Sequence, residues 1–151
     1  MRTLHNIDLK NNESGFTLRW QDRLILSHTA DAPCLWIGAG EADIEMFRGN
    51  FSIKDKLNEK IALTDATVTQ QNAGWAIRFT RGDAVSATLL VGVDAEGRLE
   101  LKLKNDAASH NRIWLRLAAQ PDDHIYGCGE QFSYFDLRGK PFPLWTSEQG
   151  V

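Results

Sequence analysis

The sequence predicts an all-β domain, an antiparallel β-sandwich finished by an irregular C-terminal segment. Three observations carry that expectation. Apolar residues alternate with polar ones in one run after another, the period of two that belongs to half-buried strands. Clusters of Asn, Asp, Gly and Ala separate the runs, as turns do. Each run has a single apolar face, so two sheets must meet to cover those faces.

The elements follow in order. Phe16, Leu18 and Trp20 face one way, with Thr17 and Arg19 opposite. Leu24 and Leu26 come after a short Gln21-Asp22-Arg23 turn, so residues 15–28 form a hairpin. Residues 34–43 are a short apolar run followed by Gly38-Ala39-Gly40. A phosphate-cradling loop needs a third glycine and a following helix. Asp43 stands where that glycine belongs, so a turn between strands is expected here. In residues 51–63, Ile53, Leu57 and Ile61 lie four apart, as on a helix. The charges between them fit an exposed excursion between strands equally well, and both readings stand.

Further on, Trp75, Ile77 and Phe79 alternate with Ala76 and Arg78, and Val85, Ala87, Leu89, Val91 and Val93 continue the pattern. Leu99, Leu101 and Leu103 alternate with Glu100, Lys102 and Lys104, and Ile113, Leu115 and Leu117 with Trp114 and Arg116. Turn signals at 72–74, 81–83, 94–97 and 105–111 divide them. The predicted core is Trp75, Ile77, Phe79, Val85, Ala87, Leu89, Leu101, Leu103, Ile113 and Leu115.

A chain of 151 residues fits one domain and buries a core without staples. The net charge of −3, with no Lys/Arg cluster, argues against a nucleic-acid partner. No stretch approaches the ~18 apolar residues of a membrane span. Residues 1–10 hold no apolar run of the secretory kind, so a cytoplasmic protein with reduced thiols is expected. His5, His28, His110 and His124 show no metal-ligand spacing, and Cys34 and Cys128 form no C-x-x-C pair, so no metal site is expected.

Residues 124–151 differ from the rest, with neither strand alternation nor helical spacing. Glycines there let the backbone approach another group closely, and Phe132, Tyr134, Phe135, Phe142 and Trp145 offer flat apolar surface. Such a segment is a binding loop or interface on a rigid scaffold, or an edge that closes the sandwich; composition leaves both open. Cys128, between Gly127 and Gly129, reads as a buried structural cysteine rather than an activated thiol. Glu130 and Asp136 are a candidate carboxylate pair of the glycosidase kind, but six residues of loop fix no separation. They are expected to be solvated or paired with a nearby base, Arg138 and Lys140 being available.

Tyr126-Gly127-Cys128-Gly129-Glu130, followed by Leu137-Arg138-Gly139 and Leu144-Trp145, resembles the signature of glycoside hydrolase family thirty-one, the α-glucosidase family. Typical members follow the Leu-Trp with Asn-x-Asp. Here Thr146-Ser147-Glu148 follows, and the segment resembles the bacterial sulfoquinovosidase branch instead. The likeness extends through residues 33–38, 46–66 and 111–120, nearly the whole chain.

The resemblance implies that residues 1–151 are the galactose-mutarotase-like N-terminal sandwich of a longer chain. The catalytic (β/α)8 barrel that would follow is absent. It implies a retaining α-glycosidase that hydrolyses sulfoquinovosides, such as sulfoquinovosyl glycerol, without cofactor or metal. The two catalytic aspartates would sit on the barrel and none in this chain, so the fragment alone is expected to be inactive. Residues 124–151 would pack on the barrel, with Glu130, Gln131, Phe132 and Phe135 at the mouth of its active site. The partners implied are that barrel and the sulfoquinovoside, with no nucleic acid and no membrane. Two other classes share the fold: a stand-alone carbohydrate-binding module, and a structural or oligomerisation domain.

Overall fold

The computed structural model describes residues 6–48, 50–83, 85–126 and 134–141. Ten strands succeed one another: β1 (Ile7–Asn12), β2 (Gly15–Trp20), β3 (Arg23–Thr29), β4 (Leu35–Phe47), β5 (Asn50–Ala62), β6 (Asp65–Gln71), β7 (Gly74–Arg81), β8 (Val85–Val93), β9 (Leu99–Asn105) and β10 (Arg112–Leu115). They form sheets β1-β2-β3, β10-β4-β5 and β6-β7-β8-β9. The fold is the expected all-β sandwich, with no helix among the described residues.

The chain divides into two compact units, Met1–Glu41 with Lys56–Ala118, and Ala42–Asp55 with Ala119–Val151. The first holds the main core. Its buried side chains come from all three sheets: Phe16, Leu18 and Leu26; Leu35 and Ile37; Ile77, Phe79, Ala87, Leu89 and Val91. Alternation explains the choice. Ile77 lies opposite Leu89 and Phe79 opposite Ala87, so the apolar faces of β7 and β8 coincide. Val91 and Leu89 then meet Leu101 and Leu103 of β9.

The hairpin expected over 15–28 is β2 and β3. Gln21 and Asp22 turn it with φ of +48° and +66°, the mirror-image turn that matches strand twist. Arg19 Nη1 donates to the Asp22 carbonyl at 2.8 Å. Between Leu18 and Arg19 the register shifts, so that Leu18 meets Leu26 and Arg19 meets Leu24. Ile25 is the extra residue of this β-bulge. Its carbonyl accepts the Ala118 amide at 2.8 Å, while the Arg116 amide donates to Cys34 O at 2.8 Å. The bulge thus frees an acceptor for the chain leaving β10.

Two expectations are corrected and one open reading is decided. The Gly38-Ala39-Gly40 run is not a turn but lies inside β4. A Cβ on Gly38 would lie 2.4 Å from Glu59 O and 2.8 Å from the Trp114 ring, and one on Gly40 2.9 Å from Lys56 O. The glycines permit that close approach. Residues 51–63 form no helical turn, because β5 runs through them beside β4. Spacing by four is also even, so Ile53, Leu57 and Ile61 share one face of a strand.

Ile113, nominated for the core, is 42% exposed. It pairs with Ile37 on the core side, but β10 is an edge strand. Among the described residues no neighbouring strand covers its outer flank. Trp75, Leu101, Leu103 and Leu115 pack against the core while partly exposed. Ile77, Phe79, Val85, Ala87 and Leu89 are buried as expected.

Candidate functional site

The C-terminal segment that drew attention in the sequence is described on both sides of residues 127–133. Cys128, Glu130, Gln131 and Phe132 lie outside the described residues. The two flanks, 120–126 and 134–141, are bound to each other within the second unit.

Asp136 makes the central connection. Its Oδ1 accepts the amides of Ile125 at 3.1 Å and Arg138 at 3.0 Å. Its Oδ2 lies 2.6 Å from His124 Nδ1. An ionised carboxylate only accepts, so the ring carries its proton on Nδ1. The His124 bond, then the Arg138 and Ile125 amides, hold the Asp136 carboxyl down at about 2. The Arg138 amide bond closes an Asx turn.

Arg138 adds a second tie. Its Nη1 donates to the carbonyl of Gln120 and, at 2.8 Å, to that of Asp123. Asp123 Oδ2 accepts the Gln120 amide at 2.7 Å. The Leu137 amide donates to Ile125 O at 2.8 Å, and Leu137 is only 3% exposed. The Lys140 amide reaches back to Leu137 O at 3.0 Å, with Gly139 at φ +67° in the third position of that turn.

Asp136 was expected to be solvated or paired with Arg138 or Lys140. Its side-chain partner is His124, twelve residues upstream. The Arg138 guanidinium goes to carbonyls, and the Lys140 ammonium sits 4.9 Å from the Tyr134 ring centroid. A carboxyl held at about 2 with both oxygens engaged holds no proton to donate at neutral pH. Asp136 is therefore no general acid in this arrangement. The local signal for it was present: Asp136-Leu137-Arg138-Gly139 is an Asx-turn pattern followed by glycine. Nothing local marked His124 as its partner.

Phe135, a candidate for a binding surface, is 88% exposed. Its ring meets Tyr126 at 5.1 Å between centroids, and Tyr126 in turn stacks on His124 at 6.0 Å. His124, Tyr126 and Phe135 thus form a short exposed aromatic array across the two flanks, able to present ring faces to a ligand or to another surface.

Two further groups belong to the first unit. Trp36 faces Trp114 across β4 and β10, and the Lys60 ammonium lies 5.5 and 4.6 Å from their ring centroids. Arg116 stacks on Trp36 at 5.7 Å. A recess of about 280 Å³ beside β10 is lined by Leu103, Asn105, His110, Asn111, Arg112 and Ile113. His110 is buried there, with Nε2 3.4 Å from Glu59 Oε2.

His28 and Cys34 meet inside the core. The imidazole lies between Phe16, stacked at 5.4 Å, and Phe79, edge-on at 5.2 Å. Nδ1 accepts the Cys34 amide at 3.3 Å, so Nε2 carries the proton, 3.2 Å from Thr64 O. Cys34 Sγ is 3.6 Å from Nδ1. Burial lowers the His28 pKa and pushes the Cys34 thiol up to about 11. This is a neutral, hydrogen-bonded pair with no thiolate to act as nucleophile. Among the described residues no three His, Cys, Asp or Glu side chains gather as metal ligands do.

The sequence matches the glycosyl hydrolase 31 N-terminal galactose mutarotase-like domain family over residues 7–150. It is 73% identical over 148 residues to the sulfoquinovosidase of Escherichia coli (strain K12), covering 98% of this chain and 22% of that protein. It is 41% identical over 149 residues to the sulfoquinovosidase of Agrobacterium fabrum (strain C58), covering 94% and 20%. The fold superimposes with a TM-score of 0.76 on a family 31 sulfoquinovosidase from E. rectale in complex with the aza-sugar inhibitor IFGSQ. The identity there is 35%, over 95% of this chain and 21% of that one. The chain spans about a fifth of the length of these relatives.

Proposed function

Because the chain belongs to the glycosyl hydrolase 31 N-terminal galactose mutarotase-like domain family, we propose that it is the non-catalytic sandwich of a cytoplasmic sulfoquinovosidase. The whole enzyme is a retaining α-glycosidase that releases sulfoquinovose from sulfoquinovosides such as sulfoquinovosyl glycerol. The observation that carries the proposal is the 73% identity to a sulfoquinovosidase across 98% of this chain. Two aspartates on a following catalytic barrel act as nucleophile and general acid/base, through a covalent glycosyl–enzyme intermediate.

The sandwich docks on that barrel. Ile44, Met46 and Phe47 of β4 and Ile53 of β5 are exposed large apolar side chains within the second unit. An exposed group of this kind supports a covered face in the longer protein. Glu130, Gln131, Phe132 and Phe135 stand at the mouth of the active site, shaping substrate entry without taking part in bond cleavage. The exposed array of His124, Tyr126 and Phe135 supports a recognition role for this segment.

Kinetics on the full-length enzyme with a chromogenic sulfoquinovoside test this. Residues 1–151 alone give no turnover. Glu130→Ala in the full-length enzyme lowers kcat and kcat/KM together, as expected of a residue that completes the site. Turnover by the isolated chain, or wild-type kinetics in Glu130→Ala, contradicts the proposal.

A further inference from the structure

Leu35 and Ile37 of β4 are buried in the core, so Trp36 between them projects from the opposite face of the sheet. Trp114 of β10 is its cross-strand partner and shares that face. We propose that these two rings, with the Lys60 ammonium and the Arg116 guanidinium, form a surface site for a sulfonated hexoside. The choice of ligand rests on the proposed sulfoquinovosidase function.

The backbone makes room for the platform. Gly38 lies on the face of Trp36, and a Cβ there would come within 2.8 Å of the Trp114 ring. Glycine leaves the space that the indole takes. The Lys60 ammonium lies 5.5 Å from the centroid of the Trp36 ring and 4.6 Å from that of Trp114, so one cation bridges both rings. The Arg116 guanidinium lies 5.7 Å from the Trp36 ring, and its Nη2 donates to Ala32 O at 2.9 Å. All four residues belong to the first unit. The tryptophans are half-buried and the two cations exposed. Among the described residues neither cation pairs with a carboxylate.

Positive charge without a carboxylate, set over an apolar surface, matches an anion that brings apolar surface of its own. A sulfonate supplies the anion, since it stays ionised across the working pH range and accepts hydrogen bonds through its oxygens. A pyranose ring supplies the surface, since its C–H groups form an apolar side that stacks on the negative face of an indole. A sulfonated hexoside carries both. Lys60 couples them. An exposed cation–π contact is weak, so the ammonium swings on its flexible stem to the sulfonate and makes a charge-assisted hydrogen bond. That movement uncovers the rings for the sugar. A neutral hexose has to displace the ammonium with nothing in exchange, so the site selects the anionic ligand.

Fluorine NMR of the chain carrying fluorotryptophan tests the site, with resonances assigned by Trp36→Phe and Trp114→Phe. Methyl α-sulfoquinovoside shifts the Trp36 and Trp114 resonances saturably and leaves those of Trp20 and Trp75 in place. Methyl α-glucoside and inorganic sulfate each bind about tenfold to a hundredfold more weakly, the loss expected for one charge-assisted hydrogen bond or its equivalent in stacking. Lys60→Gln, a change at an exposed side chain, removes the preference between the two hexosides. Equal binding of the two hexosides by the wild-type chain overturns the site, as does a preference that survives in Lys60→Gln. Sulfate binding as tight as that of the sulfonated hexoside reveals an anion contact only and also overturns it.

The full-length enzyme separates this inference from the proposed function. Turnover of a chromogenic sulfoquinovoside, beside a chain whose Trp36 and Trp114 resonances stay still, overturns the surface site and leaves the proposed function standing. Absence of that turnover overturns the proposed function and with it the ligand named here. In the full-length enzyme the same two resonances answer to added sulfoquinovose. Resonances that are displaced from their positions in the chain and silent to sulfoquinovose show that the rest of the longer protein covers this face, and they overturn the site.

Discussion

Replacing His28 by alanine tests how the sandwich tolerates a polar ring in its core. The residue is 1% exposed. Its removal leaves a hole between Phe16 and Phe79, whose centroids lie 5.4 and 5.2 Å away. Truncating an aromatic side chain in a core costs about 3–5 kcal/mol. The Cys34 amide and the Thr64 carbonyl also lose their partner. Each unsatisfied buried group costs about 1–3 kcal/mol, less where water enters the hole. The terms overlap, so a loss of about 4 kcal/mol is the working expectation, a large part of the stability of any domain.

Urea melts at neutral pH measure it. His28→Phe separates the terms, since it restores the ring and leaves only the two backbone groups unpaired. The pH dependence gives an independent check. Burial lowers the folded-state pKa of His28, so between that value and about 6.5 the unfolded chain binds the extra proton. Stability from this group is complete above about pH 6.5 and is lost as pH falls toward the folded pKa, with a slope of at most about 1.4 kcal/mol per pH unit. Subtracting the His28→Phe profile from the wild-type profile isolates it from the other histidines. A flat difference below pH 6.5, or an Ala variant as stable as wild type, refutes the buried neutral imidazole.

Other consequences can be checked in parallel. Leu89→Ala, at a fully buried site on a central strand, costs about 2–5 kcal/mol. Leu101→Ala, partly exposed on the edge strand β9, costs less, and urea melts that reverse this order contradict the register. Gly38→Ala forces a methyl against Glu59 O and the Trp114 ring and lowers stability by about 1–3 kcal/mol. A thermal midpoint equal to wild type would place β4 and β5 further apart than described. In a Cys128→Ser background, Cys34 reacts with a thiol reagent only on unfolding, because it is buried with its pKa raised to about 11. Labelling of the native chain at the rate of a free thiol would show an open site.

Alternation is a local property, and it made the strands legible. Phe16 and Leu18, Ile77 and Phe79, and Ala87 and Leu89 declare their inward face within a few residues of themselves. Motif spacing likewise carried the resemblance, since the glycines and aromatics of 126–145 fall in order along the chain. Where local patterns were degenerate the sequence could not choose. Ile53, Leu57 and Ile61 satisfy a helix and a strand face alike, and only pairing with β4 decided between them. Gly38-Ala39-Gly40 looks like a turn until Trp114, 76 positions away from Gly38, is seen to lie over it.

The same holds for polar contacts between residues far apart in the chain. His28 accepts from Cys34 and lies beside Thr64, 36 residues on. Asp136 takes His124 rather than the neighbouring Arg138 side chain. Such partners are chosen by which strands and turns come to lie together in space. The sequence by itself determined the alternating strands β2, β3 and β7 to β10 and the inward faces of β2, β3, β7 and β8, while β1 and β6 carried too little alternation to be named. Tertiary structure decided register, edge exposure and the partners of each polar group, because hydrogen bonds and burial depend on distances that spacing along a chain does not set.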